Sequence, residues 1–101
     1  MCQNRQMQIM NSLKVWSDKN KAFYERKGVH TVNFHIDEYS AYVDHETNSK
    51  IGRIIVNSEG HLEIEIFEIS SGIKLMHASY YFQKVFNEDV LVPYISILLE
   101  N

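Results

Sequence analysis

Leu62-Glu63-Ile64-Glu65-Ile66 alternates aliphatic and acidic residues without a break, which is the two-residue period of a β-strand with one buried face. We expect its three aliphatic side chains to point into a core and its two glutamates to face solvent. Phe67-Glu68-Ile69 interrupts the alternation, which predicts a β-bulge or the end of the strand at that point.

Four other segments around this strand also carry strand patterns, and they span residues 31–37, 39–46, 51–57 and 73–82. The side chains expected to face the core from the first three are Val32, Phe34, Ile36, Tyr39, Ala41, Val43, Ile54 and Val56. Only short turns separate the five strands, among them Ser58-Glu59-Gly60 and Ser70-Ser71-Gly72. Because parallel pairing needs a long crossover, the sequence predicts an antiparallel meander of about five strands.

A first helix is predicted over about residues 5–27, where apolar residues recur at helical spacing. Its apolar stripe consists of Ile9, Leu13, Trp16, Phe23 and Tyr24. Asn4, Asn11 and Ser12 are each able to cap its start, and Gly28 provides a stop at its end.

A closing helix is predicted after Asn87-Glu88-Asp89, which combines a capping side chain with acids for a first turn. Its apolar stripe consists of Leu91, Ile95, Leu98 and Leu99. Since Pro93 lacks an N–H, the regular helix is expected to begin either there or at Glu88.

Two amphipathic helices are sufficient to cover one face of such a meander. The sequence therefore predicts an α+β fold of two layers: an N-terminal helix, an antiparallel meander of about five strands and a C-terminal helix. With 101 residues, 45% of them hydrophobic, we expect residues 1–101 to form a single domain around one core.

The charge of the chain is unevenly distributed around a net value of −3. Residues 1–27 hold six basic and two acidic side chains, whereas residues 28–101 hold four basic and eleven acidic ones. The strand region thus has the wrong sign for a phosphate backbone, and no nucleic-acid partner is expected. The acidic excess fits either a solvated surface or a face that attracts a basic partner.

Cys2 is the single cysteine, so an internal disulfide is ruled out and a reducing compartment is favoured. The sequence also contains no apolar run of the ~18 residues that a membrane helix needs. These features predict a cytoplasmic protein without a membrane partner.

The sequence does not suggest an active site. The five histidines show no metal-ligand spacing and are expected at exposed or partly buried strand positions. No GxSxG or GxxxxGK motif is present, and Glu63 and Glu65 are expected to face water rather than each other across a cleft. We therefore predict no catalytic residue, no metal and no cofactor.

A mixed aromatic and acidic surface remains as the candidate site, on the solvent side of the strands. The residues predicted to bind a partner there are Tyr42, Asp44, Glu46, Arg53, Glu63, Glu65 and Phe67. Such a mixture is typical of protein interfaces. The alternative is that Tyr42 and Phe67 only support the pairing of strands.

The chain from about residue 10 to residue 82 resembles the TriTu family of bacterial immunity proteins, which are encoded beside Rhs-type polymorphic toxins. After a first helix that carries Trp16, the segment Gly52 to Gly72 contains the family-like pattern. The residues that fit it are Arg53, Ile54, Val56, Glu59, Gly60, Glu63, Glu65 and Gly72.

This resemblance implies a protein that neutralises a secreted Rhs or type VI ADP-ribosyltransferase toxin domain by occluding it. The resemblance also implies that this toxin modifies elongation factor Tu. The alternative function is a small acidic secretion chaperone or adaptor that holds a partner protein. An enzyme with a pocket between sheet and helices is the third class, and a deep cavity containing His77 and a carboxylate would favour it.

Overall fold

The computed structural model describes residues 2–83 and 86–100, with the backbone alone for residues 2–7. The order of elements is α1 (Cys2–Arg26), β1 (His30–Ile36), β2 (Ser40–Glu46), β3 (Lys50–Asn57), β4 (His61–Glu68), β5 (Lys74–Tyr81), a 3₁₀ helix (Glu88–Leu91) and α2 (Val92–Leu99). The predicted α+β architecture is confirmed.

The five strands form one sheet in the order β1-β2-β3-β4-β5, and every neighbouring pair is antiparallel. Gly60 adopts a φ of 90°, which explains why a glycine closes the turn between β3 and β4. The β4–β5 register shifts between Ile66 and Phe67, so the predicted bulge lies where the alternation breaks.

Both helices pack on the same face of the sheet. The core between the layers contains Leu62, Ile64 and Ile66 from β4, all fully buried. From the helices it receives Ile9, Leu13 and Trp16 of α1 and Tyr94, Ile95 and Leu98 of α2. The opposite face of the sheet, here named the outer face, carries the alternate residues of the strands.

Two predicted core positions in the β1–β2 region are wrong. Val32 is 46% exposed because β1 shifts its register to β2 between Thr31 and Asn33, which breaks the alternation at Val32. Tyr39 is 72% exposed because it lies in the turn before β2 rather than in the strand. Phe34 and Ile36 are partly buried against the core as expected.

The first helix is longer than its apolar pattern indicated, since it begins at Cys2. Each proposed capping residue therefore lies inside the helix. Phe23 is 48% exposed, and the partly buried Tyr24 packs against the core in its place. Tyr24 lies four residues after Asn20 and eight after Trp16, so it continues their face of the helix.

The C-terminal region resolves the two possible helix starts. The Asn87 side chain accepts a hydrogen bond from the backbone N–H of Asp89 and caps a single 3₁₀ turn. The regular helix then begins at Val92, with Pro93 in its first turn, where its missing N–H costs nothing. Leu99, at the end of the stripe, remains 38% exposed.

A buried polar contact joins α2 to the sheet. Nδ1 of His45 and Oη of Tyr94 are joined by a hydrogen bond of 2.8 Å, and the His45 side chain is 1% exposed. The edge of the His45 ring faces Trp16 of α1 at a centroid distance of 5.9 Å. The expectation that strand histidines are exposed or partly buried is therefore wrong for His45, which points inward with the core.

Lys50 makes a second polar contact with α2 and is only 6% exposed. Its Nζ donates to the backbone carbonyl oxygens of Ile97 and Glu100, at the end of the helix. A cation here gives the carbonyls at the end of the helix a further donor, in addition to the Glu100 backbone N–H that the Ile97 carbonyl accepts, and it complements the helix dipole. Together, His45 and Lys50 fix the position of α2 on the sheet.

The burial of His45 should make the protein sensitive to acid. Burial lowers the pKa of His45 to about 4 from its ordinary value of 6.5, although the Asp44 carboxylate opposes this change. The unfolded chain therefore binds a proton first as the pH falls. Stability is retained above about pH 6.5 and falls by up to ~3 kcal/mol as the pH approaches 4.

This prediction can be checked by urea unfolding of the parent protein and His45→Asn between about pH 7 and about pH 4.5. Asparagine retains a hydrogen-bonding group toward Tyr94 but does not titrate in this range. The pH dependence of the free energy of unfolding should be clearly weaker in His45→Asn. Parallel curves for the two proteins would show that His45 does not contribute the loss.

Candidate functional site

The outer face lies opposite the helix layer, and its centre is a pair of charged side chains. Nε of Arg53 donates to Oδ1 of Asp44 at 2.6 Å, and Nη2 donates to Oδ2 at 2.9 Å. Nδ2 of Asn33 also donates to Oδ2 of Asp44, at 3.3 Å. The two charged residues face each other in the β2–β3 register, which positions them for this two-point contact.

The contact covers Asp44, which is 8% exposed although its strand position faces outward. Burial by itself raises the pKa of Asp44, but the hydrogen bonds and charge of Arg53, together with the Asn33 hydrogen bond and the nearby His45, keep the pKa below its ordinary value. The same hydrogen bonds raise the pKa of Arg53. The sequence-based expectation of an accessible Asp44 is wrong, and the accessible group is Arg53, with a half-exposed side chain.

Tyr42 is held beside this pair. The Arg53 guanidinium carbon lies 4.3 Å from the centroid of the Tyr42 ring, within cation–π distance. His35 of β1 stacks on Tyr42 with centroids 5.4 Å apart. Tyr42, Asp44 and Arg53 thus form a rigid group across β2 and β3, because each side chain is restrained by at least one of the others.

Glu63 and Glu65 lie next to this group on β4. Oε1 of Glu63 is 3.5 Å from Oγ of Ser79, its partner on β5, and 3.6 Å from Nε2 of His61. Oε1 of Glu65 is 3.5 Å from Nζ of Lys74 and 3.8 Å from Nε2 of His77. Both glutamates remain partly exposed, as the alternation predicted.

One end of the outer face carries a pair of apolar side chains with charged groups around it. Ile51 and Phe67 are partners in the β3–β4 register, and Ile51 is 45% exposed. Glu46 is exposed at the end of β2, opposite Ile51. The Lys74 ammonium lies 5.6 Å from the centroid of the Phe67 ring. This end combines an aliphatic side chain, an aromatic ring and charges of both signs.

A depression of about 280 Å³ opens between these groups. Its lining consists of Asp44, Ile51, Gly52, Arg53, Glu65 and Phe67. Four of the seven predicted site residues therefore line one concave surface. Tyr42 adjoins it through Arg53, whereas Glu46 and Glu63 lie elsewhere on the outer face.

Sequence reasoning missed Ile51 and Gly52, which line the depression, and Lys74, which lies beside it. Ile51 lies two residues before Arg53 on β3, so its side chain is on the same outer face. The alternation along the strand could therefore have identified it. Lys74 reaches the outer face because the β4–β5 bulge shifts its pairing to Phe67. That position depends on the register of two strands and is not visible in either strand alone.

A smaller depression of about 180 Å³ lies between α1 and the 3₁₀ helix, where Trp16, Asn20 and Tyr24 face Glu88 and Asp89. It contains neither His77 nor another histidine, so it is not the cavity that the enzyme hypothesis requires. Among the residues that the structure describes, no cluster of metal-binding side chains is found. No helix within residues 2–83 and 86–100 has the length and hydropathy of a membrane span.

The comparison with protein families is consistent with the sequence resemblance. The family model described as "Immunity protein TriTu" matches residues 11–91. The match includes most of α1, all five strands and the 3₁₀ helix, and with them every predicted site residue. The search of curated proteins found no match to the chain.

Proposed function

The chain belongs to the TriTu family of immunity proteins, and from this premise we propose that it neutralises its cognate toxin by covering the toxin with the outer face of its sheet. Membership implies that the protein acts by binding a toxin. The proposal adds the surface that binds, the means of neutralisation and the kind of toxin.

The observation that carries the proposal is the rigid group of Tyr42, Asp44 and Arg53 beside a concave end of the outer face that carries a pair of apolar side chains. A surface that is ordered before binding loses little conformational entropy in a complex. Aromatic rings and arginine are also the residues most enriched at the centres of interfaces. The helix face of the sheet, in contrast, is occupied by the core.

The proposed toxin is an ADP-ribosyltransferase domain of an Rhs protein delivered by type VI secretion, and the proposed site of action is the cytoplasm. These details rest on the family resemblance and on the lone Cys2 and the missing apolar run in the sequence. We propose that inhibition is stoichiometric and steric, with no bond made or broken by the immunity protein.

Co-expression tests this function directly. The toxin domain encoded upstream of the gene should arrest growth when expressed alone, and co-expression of this protein should restore growth. The two proteins should also co-purify as a complex with folded toxin. Growth arrest that persists despite normal levels of this protein would contradict the proposal, and selective binding to denatured toxin segments would favour the chaperone alternative.

A further inference from the structure

We propose that the depression on the outer face is an anchor pocket for one arginine side chain of the toxin. The inference rests on the proposed function and adds the chemistry of the contact at its centre. Two properties of the pocket support it. One is the arrangement of the side chains of Ile51, Phe67, Arg53 and Glu65, and the other is the hydrogen-bonding capacity that Glu65 leaves unused.

The pocket has the shape of a box on two paired strands. Ile51 faces Phe67 across the β3–β4 register, and Arg53 faces Glu65 in the same register. One wall is therefore apolar and the other is charged, around a volume of about 280 Å³. Side chains with an apolar stem and a polar tip match such a site, because each part finds a suitable wall.

Two carboxylates lie at the charged wall. That of Asp44 accepts short hydrogen bonds, whereas that of Glu65 has only longer contacts. Asp44 receives two short hydrogen bonds from Arg53, at 2.6 and 2.9 Å. The nearest nitrogens of basic side chains to Glu65 are those of Lys74 and His77, at 3.5 and 3.8 Å. Charge-assisted hydrogen bonds are about 2.7–2.9 Å long, so Glu65 retains acceptor capacity for an incoming donor.

Lys74 of β5 already places a cation beside Glu65 and Phe67, just outside the residues that line the depression. Its ammonium lies 3.5 Å from Oε1 of Glu65 and 5.6 Å from the centroid of the Phe67 ring, and its side chain is 44% exposed. Such a contact is weak and easily displaced at a protein surface. An arginine from a partner can replace the Lys74 ammonium, because its planar guanidinium donates two hydrogen bonds to a carboxylate and can stack on an aromatic ring.

The charge of the surrounding surface supports a basic occupant. Glu46 and Glu63 add negative charge on the same face, and residues 28–101 carry eleven acidic against four basic side chains. An acidic face attracts a basic partner and opposes an acidic one. Because Arg53 is neutralised by Asp44, it does not repel the incoming guanidinium strongly.

Calorimetry with the purified toxin domain tests the pocket through a double-mutant cycle. Glu65→Gln should weaken toxin binding by about tenfold or more, and Arg→Ala at one surface position of the toxin should have a similar effect. Combined, the two changes should weaken binding no further than either alone. Arg→Lys at that toxin position should restore affinity only in part.

Glu25→Gln on α1 is the matched control, since this exposed glutamate lies in the helix layer and should leave affinity unchanged. Tight binding by the parent protein with an unchanged affinity for Glu65→Gln would overturn the pocket alone. The pocket is likewise overturned if Glu65→Gln weakens binding but no toxin arginine couples to it. Failure of the parent protein to bind the toxin would instead overturn the proposed function, and the pocket with it.

Discussion

Tyr94→Ala is expected to lower the free energy of unfolding by about 4 kcal/mol, the largest loss expected from any single substitution proposed for this chain. Tyr94 is fully buried between α2 and the sheet, so alanine leaves a large cavity there. The change also removes the hydroxyl that bonds to His45, which leaves a buried imidazole nitrogen without that partner. Urea unfolding at neutral pH measures the loss.

Gly52 makes this prediction sharper, because it lies against Tyr94. A Cβ added at Gly52 would lie 2.5 Å from Oη of Tyr94 and 2.9 Å from two ring carbons. Gly52→Ala should therefore cost about 2 kcal/mol by overpacking in the parent protein. In the Tyr94→Ala background the same change should cost close to nothing, since the ring that it meets is absent.

Together, Gly52→Ala, Tyr94→Ala and the double variant form a double-mutant cycle. If Gly52→Ala destabilises both backgrounds equally, the contact between Gly52 and Tyr94 does not determine the packing of α2 on β3. Tyr94→Phe completes the series, because it keeps the ring and removes only the hydroxyl. Its expected cost is about 1–2 kcal/mol, the penalty of a buried group that loses its hydrogen bond.

The second large effect concerns binding. The double variant Glu63→Lys, Glu65→Lys should lose about 100-fold or more in affinity for the toxin domain, because like charges placed across an interface cost several kcal/mol. Its stability should change by less than about 1 kcal/mol, because both side chains are partly exposed and their contacts are long. Calorimetry and thermal unfolding measure the two quantities separately.

A matched variant, Glu25→Lys with Glu59→Lys, changes the net charge by the same amount away from the outer face. Glu25 lies on α1 and Glu59 in the β3–β4 turn, and both are exposed. This variant should retain most of the affinity, so that a loss specific to β4 points to local contact rather than to overall charge. Equal losses in the two variants would count against the outer face as the binding surface.

Much of the fold could be predicted because local patterns and tertiary packing agree in this chain. The aliphatic residues of the alternating segment 62–66 are buried in the sheet, and its two glutamates are partly exposed. The break at Phe67 marked a true shift of register. Pro93 limited the predicted start of the second helix to two positions. The structure fits both the capping residue and the proline, because Asn87 caps a 3₁₀ turn that begins at Glu88 and the α-helix follows from Val92, with Pro93 in its first turn.

The remaining features depend on contacts between distant segments, which no local pattern records. His45 is buried because Gly52, opposite it in the sheet, leaves room for Tyr94 from the far end of the chain. Asp44 is covered because Arg53 lies opposite it on the next strand. For the candidate site, the sequence predicted which residues share the outer face, whereas the pocket among them arises only from the strand register.

The most direct test of the proposed binding surface is a crystal structure of this protein bound to its toxin domain, with the area buried on each side chain measured. We predict that the outer face is buried, with Glu65 and Phe67 near the centre of the contact and an arginine of the toxin between them. The helices α1 and α2 should remain open to solvent. A toxin seated on those helices, with the outer face exposed, would contradict the central claim.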